Sequence, residues 1–266
     1  MTIETTQTSG ERNGQLWGAR AKEWADLQEV QFRHAYETVF KSLGLRADTA
    51  YCDLGCGSGL ALQIAEGQRA QVAGLDAADE LLRIARSRIP GADLRIGDLE
   101  DLPFPDNSFD LVTGFNSFQY AAHPVIALSE ARRVTRPDGR IVIMTWGLPD
   151  GMEAASLVSA LKPLLPPPPP GAPGPFALSD ADALKALAAS AGLHPLEVND
   201  VECVWQYHDL DAAVRAFGSA GVAVRAAEHS GQEAVDRAHA QALAAFRQAD
   251  GSYRLRASFR WLAARK

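Results

Sequence analysis

The chain has 266 residues, 47% apolar and 22% charged, with a formal net charge of -7. That size supports one sizeable hydrophobic core with an appended subdomain, and the acidic balance argues against a nucleic-acid partner, because no surplus of cations exists to neutralise a phosphate backbone. No apolar run reaches the roughly 18 to 20 residues that span a bilayer, and the opening MTIETTQTSGERNGQ lacks the apolar centre of a secretory signal, so no membrane partner and a cytoplasmic location are expected.

Residues 1–15 offer almost nothing apolar to bury and read as a disordered tail. Residues 16–48 form an N-terminal helical cap. Within it Trp17, Trp24, Leu27, Phe32, Ala35, Tyr36, Val39 and Phe40 recur at roughly helical spacing, which predicts two helices. From residue 49 to 147 the pattern changes to short apolar runs separated by helical segments, as in a parallel sheet with crossovers. The strands are placed at Ala50 to Leu54, Gln71 to Asp76, Leu94 to Gly97, Phe109 to Phe115 and Arg140 to Trp146. AADELLRIARSRI carries Leu81, Leu82, Ile84, Ala85 and Ile89 on one stripe, and HPVIALSEARRVT opens with proline at a first helical position. RPDG, Arg136 to Gly139, is read as the turn before the fifth strand.

Residues 148–266 are expected to complete the sheet and to supply a helical cover. The run KPLLPPPPPGAPGP, Lys162 to Pro175, favours polyproline II and reads as a stiff connector. SDADALKALAASAG has a Ser-x-x-Asp start and a glycine stop. A strand at Leu196 to Gln206, helices near Leu210 to Phe217 and Gln232 to Ala249, and a last strand at Tyr253 to Ala264 follow. In that last strand Leu255, Ala257, Phe259, Trp261 and Ala263 alternate with Arg254, Arg256, Ser258 and Arg260, the pattern of a half-exposed antiparallel edge.

Cys52, Cys56 and Cys203 cannot all pair, and two of them lie inside a glycine turn, so they read as reduced packing thiols and no metal is expected. That turn, YCDLGCGSGL, sits at the end of the first strand, where ligands of open parallel sheets bind. Gly55, Gly57 and Gly59 let the backbone turn sharply and admit a ligand close to it. A dinucleotide fingerprint would need its third glycine where Leu60 stands, and Asp53 would lie close to pyrophosphate charge. Asp76 ends the second strand, where an acceptor grips a ribose diol. Asp98 ends the third, placed to accept from an exocyclic amine while Leu81 and Leu99 pack an adenine. Three acids at successive strand ends describe a ligand with an amino-acid head, a ribose and an adenine but no phosphates. S-adenosylmethionine fits that description.

YCDLGCGSG, VAGLDAADELLRIAR, RIGDLEDLPFPDNSFDLV and EARRVTRPDGRIVIMTW, in this order and spacing from Tyr51 to Trp146, resemble the class I S-adenosylmethionine-dependent methyltransferases. Within that family they are similar to the ubiquinone and menaquinone biosynthesis branch. The resemblance implies an α/β fold, a Rossmann-like doubly wound seven-stranded sheet with an antiparallel last strand, and S-adenosylmethionine as cofactor. It puts Asp53, Gly55, Gly57 and Gly59 around the methionine part, with Cys56 in the same turn. Asp76 would hold both ribose hydroxyls and Asp98 with Leu99 would read the adenine, with Ala77 and Gly97 also in the cofactor site. Phe115, Asn116 and Gln119 would face the methyl group and the substrate.

Methyl transfer is an in-line displacement that needs a base only when the acceptor must lose a proton. His123 and Tyr120 lie near the methyl position by the resemblance, but a helix-start cap and packing explain them as simply. His34, His208, His229 and His239 read as surface or satisfied polar residues, so no base is assigned. Trp17, Trp24, Phe176, Trp205 and Phe217 suggest an apolar pocket for a small aromatic or apolar acceptor, with Trp17, Tyr120, His123, Trp146 and Phe176 as its candidate contacts. The accepting atom (oxygen, nitrogen or carbon) and the oligomeric state stay open. A macromolecule methyltransferase is one alternative, although FNSFQY lacks the prolines that hold a flipped base. A protein that binds the sulfonium without methylating is the other.

Overall fold

The computed structural model describes residues 8–168 and 174–266. The expected proline connector falls partly, and the beginning of the expected tail wholly, outside them. The rest of that tail is ordered: α1 spans Ser9–Gly18, opened by a reciprocal capping box in which the Thr8 hydroxyl accepts from Glu11 N–H and the Glu11 carboxylate accepts from Thr8 N–H. Few apolar residues are needed because the helix is held by polar contacts to distant parts of the chain, including the Arg12–Glu228 ion pair. The cap continues through α2 (Ala21–Glu23), a π turn over Trp24–Gln28, a 3-10 turn over Glu29–Phe32 and α3 (Arg33–Leu43), which Gly44 ends in the left-handed conformation.

The core alternates β1 (Ala50–Leu54), α4 (Leu60–Gly67), β2 (Gln71–Asp76), α5 (Asp79–Arg88), β3 (Asp93–Ile96), β4 (Phe109–Phe115), α6 (Pro124–Val134) and β5 (Thr135–Trp146). RPDG is not a separate turn. It lies within β5, where the pairing with β4 shifts register and Asp138 takes a positive φ of 65°. Then come α7 (Ala155–Ala160), α8 (Ala181–Ser190), β6 (His194–Tyr207), α9 (Leu210–Gly218), α10 (Gly221–Ser230), α11 (Gln232–Leu243) and β7 (Tyr253–Arg265). The cap of α8 is Asp180 rather than Ser179, its carboxylate accepting from the N–H groups of Asp182 and Ala183. Where two helices were expected between the last strands, the described residues form three: α9 and α11 fall near the expected positions, and α10 fills the stretch between them, ending before Gly231 at φ 86°.

The strands form one seven-stranded sheet in the order β3-β2-β1-β4-β5-β7-β6, parallel through β5 and antiparallel at both β7 pairings. Alternate residues of β5 face opposite layers: Val142 and Met144 pack with α3 and α4, Ile141 and Ile143 with α6 and α8. The last strand is not an edge. β7 lies between β5 and β6, and its end, Trp261 to Ala264, is buried on both faces, which is why Leu262 and Ala264 break the expected alternation. The strand order reverses between β1 and β4, so a crevice opens beyond their carboxyl ends.

Candidate active site

Two adjoining cavities occupy that crevice. The first, of about 110 Å³, is bounded by the β1 turn at Gly55 and Gly57, by Asp76 and Ala77 after β2, and by Leu81 on α5. Gly97, Asp98 and Leu99 close it from β3, Phe115 and Asn116 from β4. Among the described residues no lysine or arginine lines it. Asp76 accepts from the N–H of Gly57 and of Ala78, both at 2.8 Å, so it ties the glycine turn to the start of α5 while facing the cavity. Asp98 accepts from Glu100 N–H at 3.0 Å and from Gly10 N–H at 3.1 Å, which brings α1 over this end of the crevice.

Four of the residues expected around the ligand lie elsewhere. Asp53 is 2% exposed and points beneath the turn, where Thr113 Oγ1 donates to it at 2.6 Å and meets Tyr51 Oη at 2.7 Å. Cys56 is buried, with its sulfur over Gly74. Gly59, at φ 87°, starts α4 and packs against Ala85, where a Cβ would approach to 3.0 Å. Gln119 lines the second cavity instead.

Burial pushes the Asp53 carboxyl up to about 7, with Asp76 and Glu29 adding to the rise and the Thr113 hydrogen bond opposing it. The Asp76 carboxyl is also raised by burial, against three backbone N–H groups that lower it. Glu29 is a third buried acid, absent from the expected set. Its carboxylate takes Ser58 Oγ and the Arg88 guanidinium, and lies 3.3 Å from where a Gly57 Cβ would be. Burial raises it while Arg88 lowers it. The acids that line the cavity, Asp76 and Asp98, face it with no lysine or arginine lining it among the described residues, which suits a positively charged ligand.

A native carboxyl at about 7 binds its proton more tightly than the unfolded one near 3.9, so its penalty is absent below roughly pH 4 and complete above about 7. Asp53→Asn should therefore gain stability over the parent as pH rises from 4 to 8, by on the order of a few kcal/mol. Thermal melts of the two proteins across that range check it, and a constant difference would contradict the burial argument.

The second cavity, of about 380 Å³, lies between the N-terminal cap and the helical cover and shares Trp17, Trp24, Phe32, Asn116 and Tyr120 with the first. Its walls include Trp146, Trp205 and Phe217, and among the described residues no Asp, Glu, Lys or Arg lines it. Trp146 stacks on Phe259 with ring centres 5.2 Å apart. Phe176, expected at this wall, lies behind it against Trp146, with Gly174, Pro175 and Ala177 at the surface of the cavity. His123 is in neither cavity. It is the N-cap of α6, its side chain 67% exposed, with Nδ1 2.9 Å from a Glu100 carboxylate oxygen. Tyr120 lines both cavities, but burial pushes its hydroxyl up to about 12, so it does not ionise near neutrality.

At the junction of the cavities Asn116 is held at φ 55°, and its Oδ1 and the neighbouring Ser117 Oγ are buried without partners among the described residues. Strain and unpaired polar atoms together mark positions that a ligand completes. Such a set fits the amino-acid head and ribose of a cationic nucleoside better than a phosphate chain. Ser117, Glu29 and the α1 residues Ser9, Gly10 and Asn13 were not anticipated, whereas Trp24, expected at the acceptor pocket, lines both cavities.

Residues 52–143 match the family described as Methyltransferase domain. The chain is 42% identical over 100 residues to malonyl-[acyl-carrier protein] O-methyltransferase of Methylococcus capsulatus, covering 36% of this chain and 36% of that one. It is 33% identical over 117 residues to demethylmenaquinone methyltransferase of Staphylococcus aureus, covering 42% of this chain and 48% of that one. These matches thus span less than half of each curated relative. In structure it is similar to the [4+2]-cyclase SpnF, with a TM-score of 0.56 at 22% identity over 88% of this chain and 81% of that one, a likeness of fold. No helix among the described residues is long and apolar enough to cross a membrane.

Proposed function

We infer, from a chain that belongs to the class I S-adenosylmethionine-dependent methyltransferases through its methyltransferase domain, that it transfers a methyl group to a small, largely apolar or aromatic metabolite in the cytoplasm. The observation that carries this reading is the pairing of the cavities. An acid-walled cleft without cations opens onto an uncharged aromatic chamber, and the two share Asn116 and Tyr120. In the cleft Asp76 would take the ribose hydroxyls, Asp98 with Leu99 and Leu81 the adenine, and the Gly55 to Gly57 backbone the amino-acid head.

When bound, the sulfonium supplies an activated methyl group and a good leaving group. What the chain must add is alignment and dryness. Holding an acceptor about 3 to 3.5 Å from the methyl is worth up to roughly 7 to 11 kcal/mol. Trp17, Trp24 and Phe32 form the wall common to both cavities and keep water from the transfer line. An acceptor without charge suits the chamber, because a buried ion there would find no counter-charge.

Calorimetry with S-adenosylmethionine, NAD and ATP tests the cleft, and S-adenosylhomocysteine release with a panel of phenols, amines and quinols tests the transfer. Binding of the sulfonium compound alone, with release dependent on one class in the panel, is expected. Tight NAD or ATP binding would overturn the cofactor assignment. Methylation of protein or oligonucleotide only would overturn the acceptor class. Binding of the sulfonium compound with no S-adenosylhomocysteine release from any member of the panel would instead select a protein that holds the compound without methylating.

A further inference from the structure

The helical cover brings to the chamber a titratable side chain that the cofactor cleft does not use. His239 lies on α11 in one buried stripe with Val235 and Leu243, and is 1% exposed. It lines the chamber beside Phe217, their ring centres 5.7 Å apart. Its Nδ1 is buried with no hydrogen-bond partner among the described residues. Burial pushes its pKa down to about 4, against an opposing pull from Asp236. At neutral pH the ring is therefore uncharged, with one nitrogen free to accept.

Apolar filling would serve a chamber wall better than an unpartnered imidazole, since a buried polar group without a partner is costly. His239 is not alone in this. Trp205 Nε1 and both amide atoms of Gln119 are likewise buried and unpartnered, and all three residues line the same space. Polar atoms on separate walls of one cavity are explained together by a ligand that pairs with them. Because no ionic side chain among the described residues lines the space, that ligand is neutral, and because Trp146, Trp205 and Phe217 supply ring faces, its body is a ring system.

We propose that the chamber recognises a neutral ring compound bearing a hydroxyl group whose O–H donates to His239, making His239 a specificity-determining residue for the molecule that occupies it. Calling that molecule the methyl acceptor rests on the methyltransferase reading; its binding does not.

Calorimetric titration of the full chain with 2-naphthol and with 2-methoxynaphthalene, which lacks the donor, tests this. The parent should prefer the naphthol at least tenfold, H239F should lose that preference, and H239Q, which keeps an accepting oxygen, should recover part of it. Equal affinities in the parent, no binding of either probe, or a preference undiminished in H239F would overturn the proposal. S-adenosylhomocysteine titrated into the same three proteins reports the cofactor cleft by itself. Should it fail to bind the parent, the methyltransferase reading falls while the naphthol preference still decides the role of His239.

Discussion

Gly55→Ala is expected to weaken S-adenosylmethionine binding by at least about 100-fold and to lower the melting temperature by roughly 5 to 10 °C. The reason is steric and local. Gly55 is held at φ 79°, and a Cβ there would lie 2.4 Å from Ser117 Cβ. A residue other than glycine in that conformation costs about 1 to 3 kcal/mol. The clash adds to it, because Ser117 Cβ is fixed to the backbone of the loop after β4 and cannot swing aside. That loop has little freedom, with Asn116 already at φ 55° and its N–H bonded to Met144 O at 3.0 Å. Relief must come from moving residues 115–117, and these line the cleft on one side and reach the chamber through Asn116. Gly67→Ala provides the control, since nothing lies within 4 Å of a Cβ there and φ is ordinary. Calorimetry and thermal melts of both variants check the contrast, and an unchanged affinity in Gly55→Ala would mean that this turn does not shape the cleft.

The sheet was legible because its strands are short apolar runs bounded by turns. β1, β2 and β4 begin and end at the expected residues, and the acids Asp76 and Asp98 fall at the crevice because strand ends are read from the same boundaries. α1 was not legible. Its composition is polar, and what orders it is a capping box plus contacts such as Gly10 N–H to Asp98, 88 residues apart in sequence. Inward or outward direction was equally hidden: Asp53 lies next to the last residue of β1 and Asp76 ends β2, yet one bonds Thr113 on the neighbouring β4 and the other faces the cleft. His123 resembled a site residue by its position after FNSFQY, but Glu100 draws it to the surface. His239 did carry a signal. It stands four residues from both Val235 and Leu243, on the buried stripe of its helix, and a histidine on such a stripe needs an explanation that a surface histidine does not.

The order of α1 and the buried acids bear on one another. α1 reaches the cleft through an acidic residue of that cleft, Asp98, whose Oδ2 lies 3.1 Å from Gly10 N. Arg12 anchors the same helix to Glu228 on α10, part of the cover. Trp17, at the far end of α1, sits against Gly221, where a Cβ would come within 2.7 Å of its indole nitrogen. One helix therefore contacts the Asp98 end of the cleft, the junction of the cavities and the cover, lining the cleft through Ser9, Gly10 and Asn13 and both cavities through Trp17.

Asp76→Ala should raise the dissociation constant for S-adenosylmethionine by about 10- to 150-fold, the loss of a charge-assisted acceptor worth roughly 1.5 to 3 kcal/mol. The geometry adds a second contribution. Asp76 also accepts from Gly57 N–H and Ala78 N–H, so alanine leaves two backbone donors without their partner and loosens the turn that the ligand meets. The two effects separate by substitution. The amide variant Asp76→Asn retains one accepting oxygen and can serve one of those two N–H groups, while giving up the negative charge that pairs with hydroxyl donors. If the ribose assignment is right, Asp76→Asn should lose most of the affinity while melting within about 2 °C of the parent, and Asp76→Ala should lose affinity and melt lower. If Asp76 serves only as the tie between β2 and the glycine turn, Asp76→Asn should bind nearly as the parent does, and the ribose role would be withdrawn. Methionine, which has the amino-acid head but no ribose, gives the matching ligand-side measurement: its binding should be indifferent to Asp76→Asn.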